Sequence, residues 1–408
     1  MAENWPQWRG EKQDGVGCGR QPPLDWSTSK NVRWSTSLPG RGHSSPIIWG
    51  DDVFLAAADE VANVQSLLCY DRSTGSLRWT CEVGRGDFGV KHLKNSYASA
   101  TPACDGRCVF YPFVANNALQ TSAVDLRGNL AWQTRVGPYA QDVGYGYASS
   151  PAIFDGLVIV LSDSHRAMGR RERLRAMIGL QHDAFLAALD GATGEVVWRV
   201  RLSAQNQTSY GTPIVVQAAG RPQLIVPGGS AIVAYSPFDG HQIWRCRWPL
   251  ARAANSVVAC DNWVVASGAD PDRQTICIRA DGENDVTDSH VAWSIKNRGA
   301  DVPSPLVVER RLVLVEDGGV ASCFSIESGK LLWRHRLAGN FTASPIAIGN
   351  YVYAVNESGR TFVFRVAPKF ELVAENDLNE ETLASPACSG GDLFLRTRDR
   401  LWCISDGR

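Results

Sequence analysis

The apolar positions along this chain fall in short runs separated by turns rich in Gly, Asp, Asn and Ser. Leu68–Val83, LCYDRSTGSLRWTCEV, shows the pattern: two strand-forming runs flank the turn Ser73-Thr74-Gly75, and Trp79 follows Gly75 by four residues. The same spacing returns as Gly128–Trp132, Gly194–Trp198, Gly240–Trp244 and Gly329–Trp333, with Trp34 and Trp293 as looser copies. A sequence that repeats itself in this way predicts one supersecondary unit used many times.

A second marker runs in phase with the first. Ser45-Pro46, Thr101-Pro102, Ser150-Pro151, Thr212-Pro213, Ser304-Pro305, Ser344-Pro345 and Ser385-Pro386 each open an apolar run, and Asn255-Ser256-Val257 holds the same place without the proline. Proline suits the first residue of a strand, where its missing N–H costs no ladder bond. Tight turns such as Asp105-Gly106 and Asp155-Gly156 then lead into a second apolar run. Each unit therefore reads as four antiparallel strands, A to D, and eight units predict an all-β, eight-bladed β-propeller.

The ends predict how the ring closes. Asn31–Leu38, with Trp34, looks like a D strand that precedes any A strand, and Ser385–Ile404 supplies A, B and C only. Residues 31–38 should complete the last blade, so that no edge is left free. The expected organisation is an N-terminal extension, residues 1–30, and one propeller domain, residues 31–408. In the extension, Trp5-Pro6-Gln7-Trp8-Arg9-Gly10 is expected to staple the segment to the outside of the ring.

Composition changes little in this picture. The 408 residues are 44% hydrophobic and 20% charged, with a net charge of −1. Nothing in that charge favours nucleic acid, and no apolar run is long enough to span a bilayer. The start Met1-Ala2-Glu3-Asn4-Trp5 lacks a basic, apolar leader, which predicts a cytoplasmic protein, with a periplasmic or envelope location as the alternative if a leader has been removed. Nothing calls for more than a monomer. There are 11 cysteines. Six residues before the turn glycine the repeats carry Cys69, Ala188, Ala234 and Cys323, a small buried slot in which the thiol is a packing atom. Cys104 and Cys108 flank a hairpin turn at which a disulfide is conceivable but not expected. No spacing resembles a zinc site, and so many unpaired thiols fit a reducing compartment.

Candidate chemistry concentrates on one face. From the D-strand Trp to the next A-strand Pro, the early blades carry longer loops: Trp79 to Pro102 and Trp132 to Pro151, against Trp293 to Pro305 and Trp333 to Pro345. Loops 84–99 and 138–147 result, and a third insertion, 163–183, splits blade three between B and C. D–A and B–C connections emerge on the same face, so all three crowd above blades one to three, where partner proteins are expected to bind. The third insertion holds Arg166, Arg170, Arg171, Arg173 and Arg175, with Leu174, Met177 and Ile178 at helical spacing, and reads as a short basic amphipathic helix, either solvated with one face resting on the propeller or docking an acidic partner or anionic surface. In blade five the C–D turn lengthens to Asp281–Asp288, expected to be a solvated turn on the opposite face.

Residues just before each A strand should ring the channel mouth: His43, Tyr97, Tyr147, Tyr210, Asn255, Asp301 and Asn340. Such a ring suits a flat polar ligand or a peptide. His43 and Asp301 are the candidate bases. No nucleophile motif, phosphate loop or metal-spaced cluster accompanies them.

Tyr70–Trp79, in the form YD-x-x-TG-x-x-x-W, resembles the pyrroloquinoline quinone (PQQ)-type propeller repeat shared by quinoprotein dehydrogenases and the outer-membrane assembly lipoprotein BamB. The opening Trp5–Gly10, the stretch Asp285–Trp293 (DVTDSHVAW) and the Ala-Ser-Pro blades at 343–345 and 384–386 are similar to BamB-like propellers of planctomycetes. The resemblance implies either a non-catalytic scaffold for protein–protein interaction or a quinoprotein oxidoreductase holding PQQ with calcium. The sequence has no adjacent Cys pair to cover a quinone and no N-terminal lipid-attachment Cys. The expectation is therefore a binding propeller without a cofactor, with PQQ and calcium as the alternative.

Overall fold

A computed structural model describes residues 3–139, 145–162, 184–202, 209–250 and 253–407. Eight sheets of antiparallel strands stand around a ring, and no helix occurs among the described residues. Blade 1 is typical, with A, B, C and D at Ile47–Trp49, Asp52–Asp59, Val64–Asp71 and Leu77–Arg85. Blade 8 takes its fourth strand from the N-terminus as predicted: Val32–Ser37 pairs antiparallel with Arg400–Ile404, Trp34 opposite Cys403.

The core is layered rather than central. One apolar cluster fills each space between neighbours, such as Phe54 and Cys69 of blade 1 against Val109 and Tyr111 of blade 2. The B and C strands are buried on both faces, which is why they read as unbroken apolar runs rather than alternating ones. Cys69, Ala188, Ala234 and Cys323 are all fully buried, as the repeat implies. All eleven cysteines are free thiols, Cys104 and Cys108 included.

Two devices lock blade to blade. On the outside, at five junctions, the D-strand Trp of one blade lies on the turn glycine of the next and donates its indole N–H to a carbonyl there, whereas Trp244 of blade 4 donates to Gln223 Oε1 of its own blade at 2.7 Å. Trp34 donates to Arg72 O (2.9 Å), Trp79 to Leu126 O (3.0 Å), Trp132 to Gly191 O (3.0 Å) and Trp293 to Ile326 O (2.8 Å). At Gly128 the need for glycine is explicit: φ is +91°, and a Cβ would stand 2.8 Å from Trp79 Cγ. On the inside, at six of the eight junctions, the hydroxyl that precedes the A strand accepts the backbone N–H of its counterpart in the preceding blade, while the Ser256 hydroxyl donates to Thr212 O at 2.7 Å. Ser45 N–H donates to Thr101 Oγ1, Thr101 to Ser150, Ser150 to Thr212, Ser256 to Ser304, Ser304 to Ser344 and Ser344 to Ser385, all at 2.9–3.0 Å. The Ser/Thr-Pro marker is thus a hydrogen-bonded hoop around the channel.

Two expectations are corrected. The extension does not lie outside the ring; it crosses the channel at the end where the A–B turns emerge. Inner strands expose unpaired N–H and C=O groups to the channel, and the extension satisfies them. Trp5 exchanges backbone hydrogen bonds with Ile48 of blade 1, and Pro6 O accepts Cys104 N–H of blade 2. The Gln7 amide oxygen accepts Ile153 N–H of blade 3, and Gln13 brackets Pro213 and Val215 of blade 4. Arg9 donates to Pro305 O of blade 6, and Val16–Gly17 pairs parallel with Ile346–Ile348 of blade 7. The chain then runs outward under blade 7, where Trp26 is buried and stacks on Tyr353. Likewise, the acidic turn of blade 5 is not merely solvated. Asn284–Asp285 adds a fifth, parallel strand to blade 4 beside Gln242–Arg247, and Asp285 lies between Arg245 and Arg247 at 3.4 and 3.5 Å.

Candidate functional site: a blind funnel

Because the extension closes one end, the channel is a funnel open only at the other. Its cavity is about 660 Å³, with Trp8 at the floor, the eight hydroxyl positions of the hoop on the wall, and the D–A and B–C loops at the rim. The two tryptophans of Trp5–Gly10 therefore have different places, Trp5 buried in the inter-blade core and Trp8 facing the cavity.

The rim is built from opposite sides of the ring. From blades 1 to 3 come His43, His92, Lys94, Asn95, Tyr145 and Tyr210; from blades 5 to 7 come Asp301, Asp317, Asn340, Phe341 and Glu357. Loop 84–99 leans over the opening. Asn95 Nδ2 donates to Tyr145 O at 2.6 Å, Arg41 donates to Leu93 O at 3.0 Å, and Lys94 Nζ meets Glu357 at 2.8 Å. Tyr145 stands edge-on to Tyr210, ring centres 5.4 Å apart. On the far side, the Asp317 carboxylate accepts the N–H groups of Asp301 (2.7 Å) and Val302 (3.0 Å) and so fixes that turn. Three carboxylates face one lysine in this lining, so the cavity is acidic on the side of blades 5 to 7.

Of the predicted ring, His43, Tyr210, Asp301 and Asn340 line the cavity. Three members sit elsewhere. Tyr97 is tucked under its own loop, its hydroxyl on Gly89 O at 2.8 Å and its ring against Phe88. Tyr147 packs edge-on against Tyr139 in the same layer. Asn255 is buried, its amide donating to Ala300 O at 2.8 Å, a bond that joins two loops. The insertion with Arg166, Arg170, Arg171, Arg173 and Arg175 lies outside the described residues. Sequence reasoning misses Trp8, Asp317 and Glu357. Asp317 and Glu357 occupy the same B–C turn position in successive blades, just before Gly318-Gly319 and Ser358-Gly359, so an alignment of the units pairs them.

Burial, then Arg396, Arg41 and Lys91, pull His43 down to about 3, so it stays neutral and is a poor acid or base near neutrality. The hydroxyls of Thr101, Ser150, Thr212, Ser304, Ser344 and Ser385 already accept backbone N–H groups. No group of three or more metal-ligating side chains is found among the described residues.

Comparison with solved structures supports the same architecture. BamB from Moraxella catarrhalis shares 14% identity with a TM-score of 0.61, covering 92% of this chain and 98% of that one. Quinohemoprotein alcohol dehydrogenase from Comamonas testosteroni shares 12% with a TM-score of 0.70, covering 100% and 81%. The computationally designed Ika8 protein shares 11% with a TM-score of 0.62, covering 90% and 98%. At these identities the likeness is one of fold. No curated relative matches the chain. A family model does, over residues 24–142 and 182–407, and on that match the chain belongs to the family of the outer membrane protein assembly factor BamB.

Proposed function

We propose that this protein is a non-catalytic binding propeller that receives a segment of a partner polypeptide in its funnel, on the face carrying loops 84–99 and 138–147. The observation behind this reading is the blind cavity itself: large enough for several side chains, ringed by aromatic and hydrogen-bonding groups, with its buried histidine held neutral. Membership of an assembly-factor family agrees with it. The acidic side of the lining favours a segment carrying Lys or Arg. The eleven free thiols support a reducing compartment.

A quinone-holding enzyme is the second reading, favoured by the depth of the cavity and by Trp8 on its floor. PQQ carries three carboxylates, and a lining of three carboxylates against one lysine opposes it unless a cation intervenes. Calorimetry with PQQ and calcium, run beside photo-crosslinking from a probe at Tyr145 in the native host, separates the two. The expected result is no saturable heat and a discrete polypeptide adduct. Saturable heat that Asp301→Asn removes would overturn the binding reading in favour of the quinone.

A further inference from the structure

Beside the funnel, between blade 8 and blade 1, lies a second cavity of about 380 Å³. Arg396, the last residue of strand Asp392–Arg396, projects into it and is 1% exposed. Nη1 is fully engaged, donating to Ser44 Oγ (2.8 Å), Ser44 O (3.3 Å) and Ala56 O (2.7 Å), and so ties the last blade to the first. Nε and Nη2 have no partner, and neither has the neighbouring Nε2 of His43. Nη2 lies so close to Gly42 that a Cβ there would be 2.3 Å away.

Among the described residues no carboxylate pairs with Arg396. The two carboxylates on the rim of this cavity are already taken, Glu357 by Lys94 at 2.8 Å and Glu381 by Arg398 at 3.8 Å. Arg41 also lines the cavity and spends its donor on a carbonyl, Leu93 O. The balance is two cations, Arg41 and Arg396, without a counter-charge. A guanidinium stripped of water and left unpaired is costly, and buried donors without acceptors mark the place of a missing partner. Burial pulls Arg396 down only to about 10, so it remains charged at neutral pH.

We propose that this pocket binds a small monovalent anion, a halide or a single carboxylate group, on Nε and Nη2 of Arg396 and beside Nε2 of His43. The anion completes the joint between the last and first blades. The site adjoins the funnel, with which it shares His43, Lys94 and Glu357.

The test uses the whole protein, labelled at histidine Cε1 and freed of chloride, in sodium HEPES, whose sulfonate is too bulky for the pocket. Sodium chloride and sodium acetate are titrated in at constant ionic strength. The His43 resonance, assigned from His43→Gln, should shift saturably, and Tm should rise along the same curve. A response to chloride alone identifies a halide site. A stronger response to acetate identifies a site for a carboxylate, such as one carried by a ligand. Arg396→Lys should weaken the response, and Arg396→Met should abolish it. Identical behaviour in chloride, acetate and HEPES would overturn the proposal in the wild-type protein alone, whatever the variants do.

Discussion

Lys94 reaches over the mouth of the funnel to Glu357, 2.8 Å away, and so joins the loop that follows blade 1 to the B–C turn of blade 7. The Glu357 carboxylate also accepts the Thr342 hydroxyl at 2.6 Å. The loop is thus held down at its tip by one exposed ion pair and at its base by Asn95 and Arg41.

Glu357→Gln should therefore change global stability by less than about 1 kcal/mol, as befits an exposed ion pair. Its effect should be local. Amide exchange across residues 91–95 should quicken while the hoop amides stay protected. Unchanged exchange in the loop would show that Asn95 and Arg41 hold it unaided.

Gly128→Ala should cost about 1–3 kcal/mol in chemical denaturation, because a side chain at φ +91° is strained and its Cβ meets the Trp79 ring. Gly50 has φ +57°, and a Cβ there would meet nothing within 4 Å, so Gly50→Asn should be almost neutral. Equal costs at the two sites would mean that the Trp contact contributes nothing.

Ser344→Ala removes the acceptor of the buried Ser304 N–H. An orphaned buried donor costs about 1–3 kcal/mol. Ser328→Ala, on an exposed turn, should stay within about 0.5 kcal/mol. A neutral Ser344→Ala would indicate that water replaces the hydroxyl inside the hoop.

Acid should weaken the fold in two stages. His43 titrates near 3 in the folded chain, below its ordinary value of about 6.5. Between those values the unfolded chain takes up a proton that the folded chain refuses, so stability falls as pH drops from about 6.5 towards 3. The turn carboxylates Asp71, Asp125, Asp190, Asp239 and Asp285 are held below their usual range, chiefly by hydrogen bonds from their own turns and, at Asp71, also from Arg78. Their contribution is present above about pH 4 and is lost as pH falls through their folded values. Denaturation midpoints from pH 7 to 3 should decline throughout, and His43→Gln should flatten only the upper part. A flat profile above pH 4 in the parent protein would contradict the burial of His43.

What the sequence reveals is what it repeats. Gly-x-x-x-Trp is legible because every turn glycine serves the same purpose, admitting the indole of the preceding blade. Ser/Thr-Pro is legible for the same reason, and the donated strand Val32–Ser37 follows from counting units. The extension is misplaced because Gln7, Arg9 and Gln13 each meet a different strand, so no periodicity records their partners. Tyr97, Tyr147 and Asn255 are placed by strand register alone, which fixes position along the chain but not whether a long loop folds back over it. Arg396 escapes notice because its significance lies in the missing partner, and a linear sequence does not display an absence.

The closing strand has a consequence in time. Val32–Ser37 leaves the ribosome long before its partner Arg400–Ile404. At translation speeds of about 5–20 residues per second, the waiting period is roughly 20–80 s. The parallel contact of Val16–Gly17 with Ile346–Ile348 waits almost as long. Throughout that interval the nascent chain carries an open, sticky edge at each end of the unfinished ring, and the neighbours on a polysome carry the same edges. Until Arg400–Ile404 emerges, those edges are free to pair with other copies of the same chain.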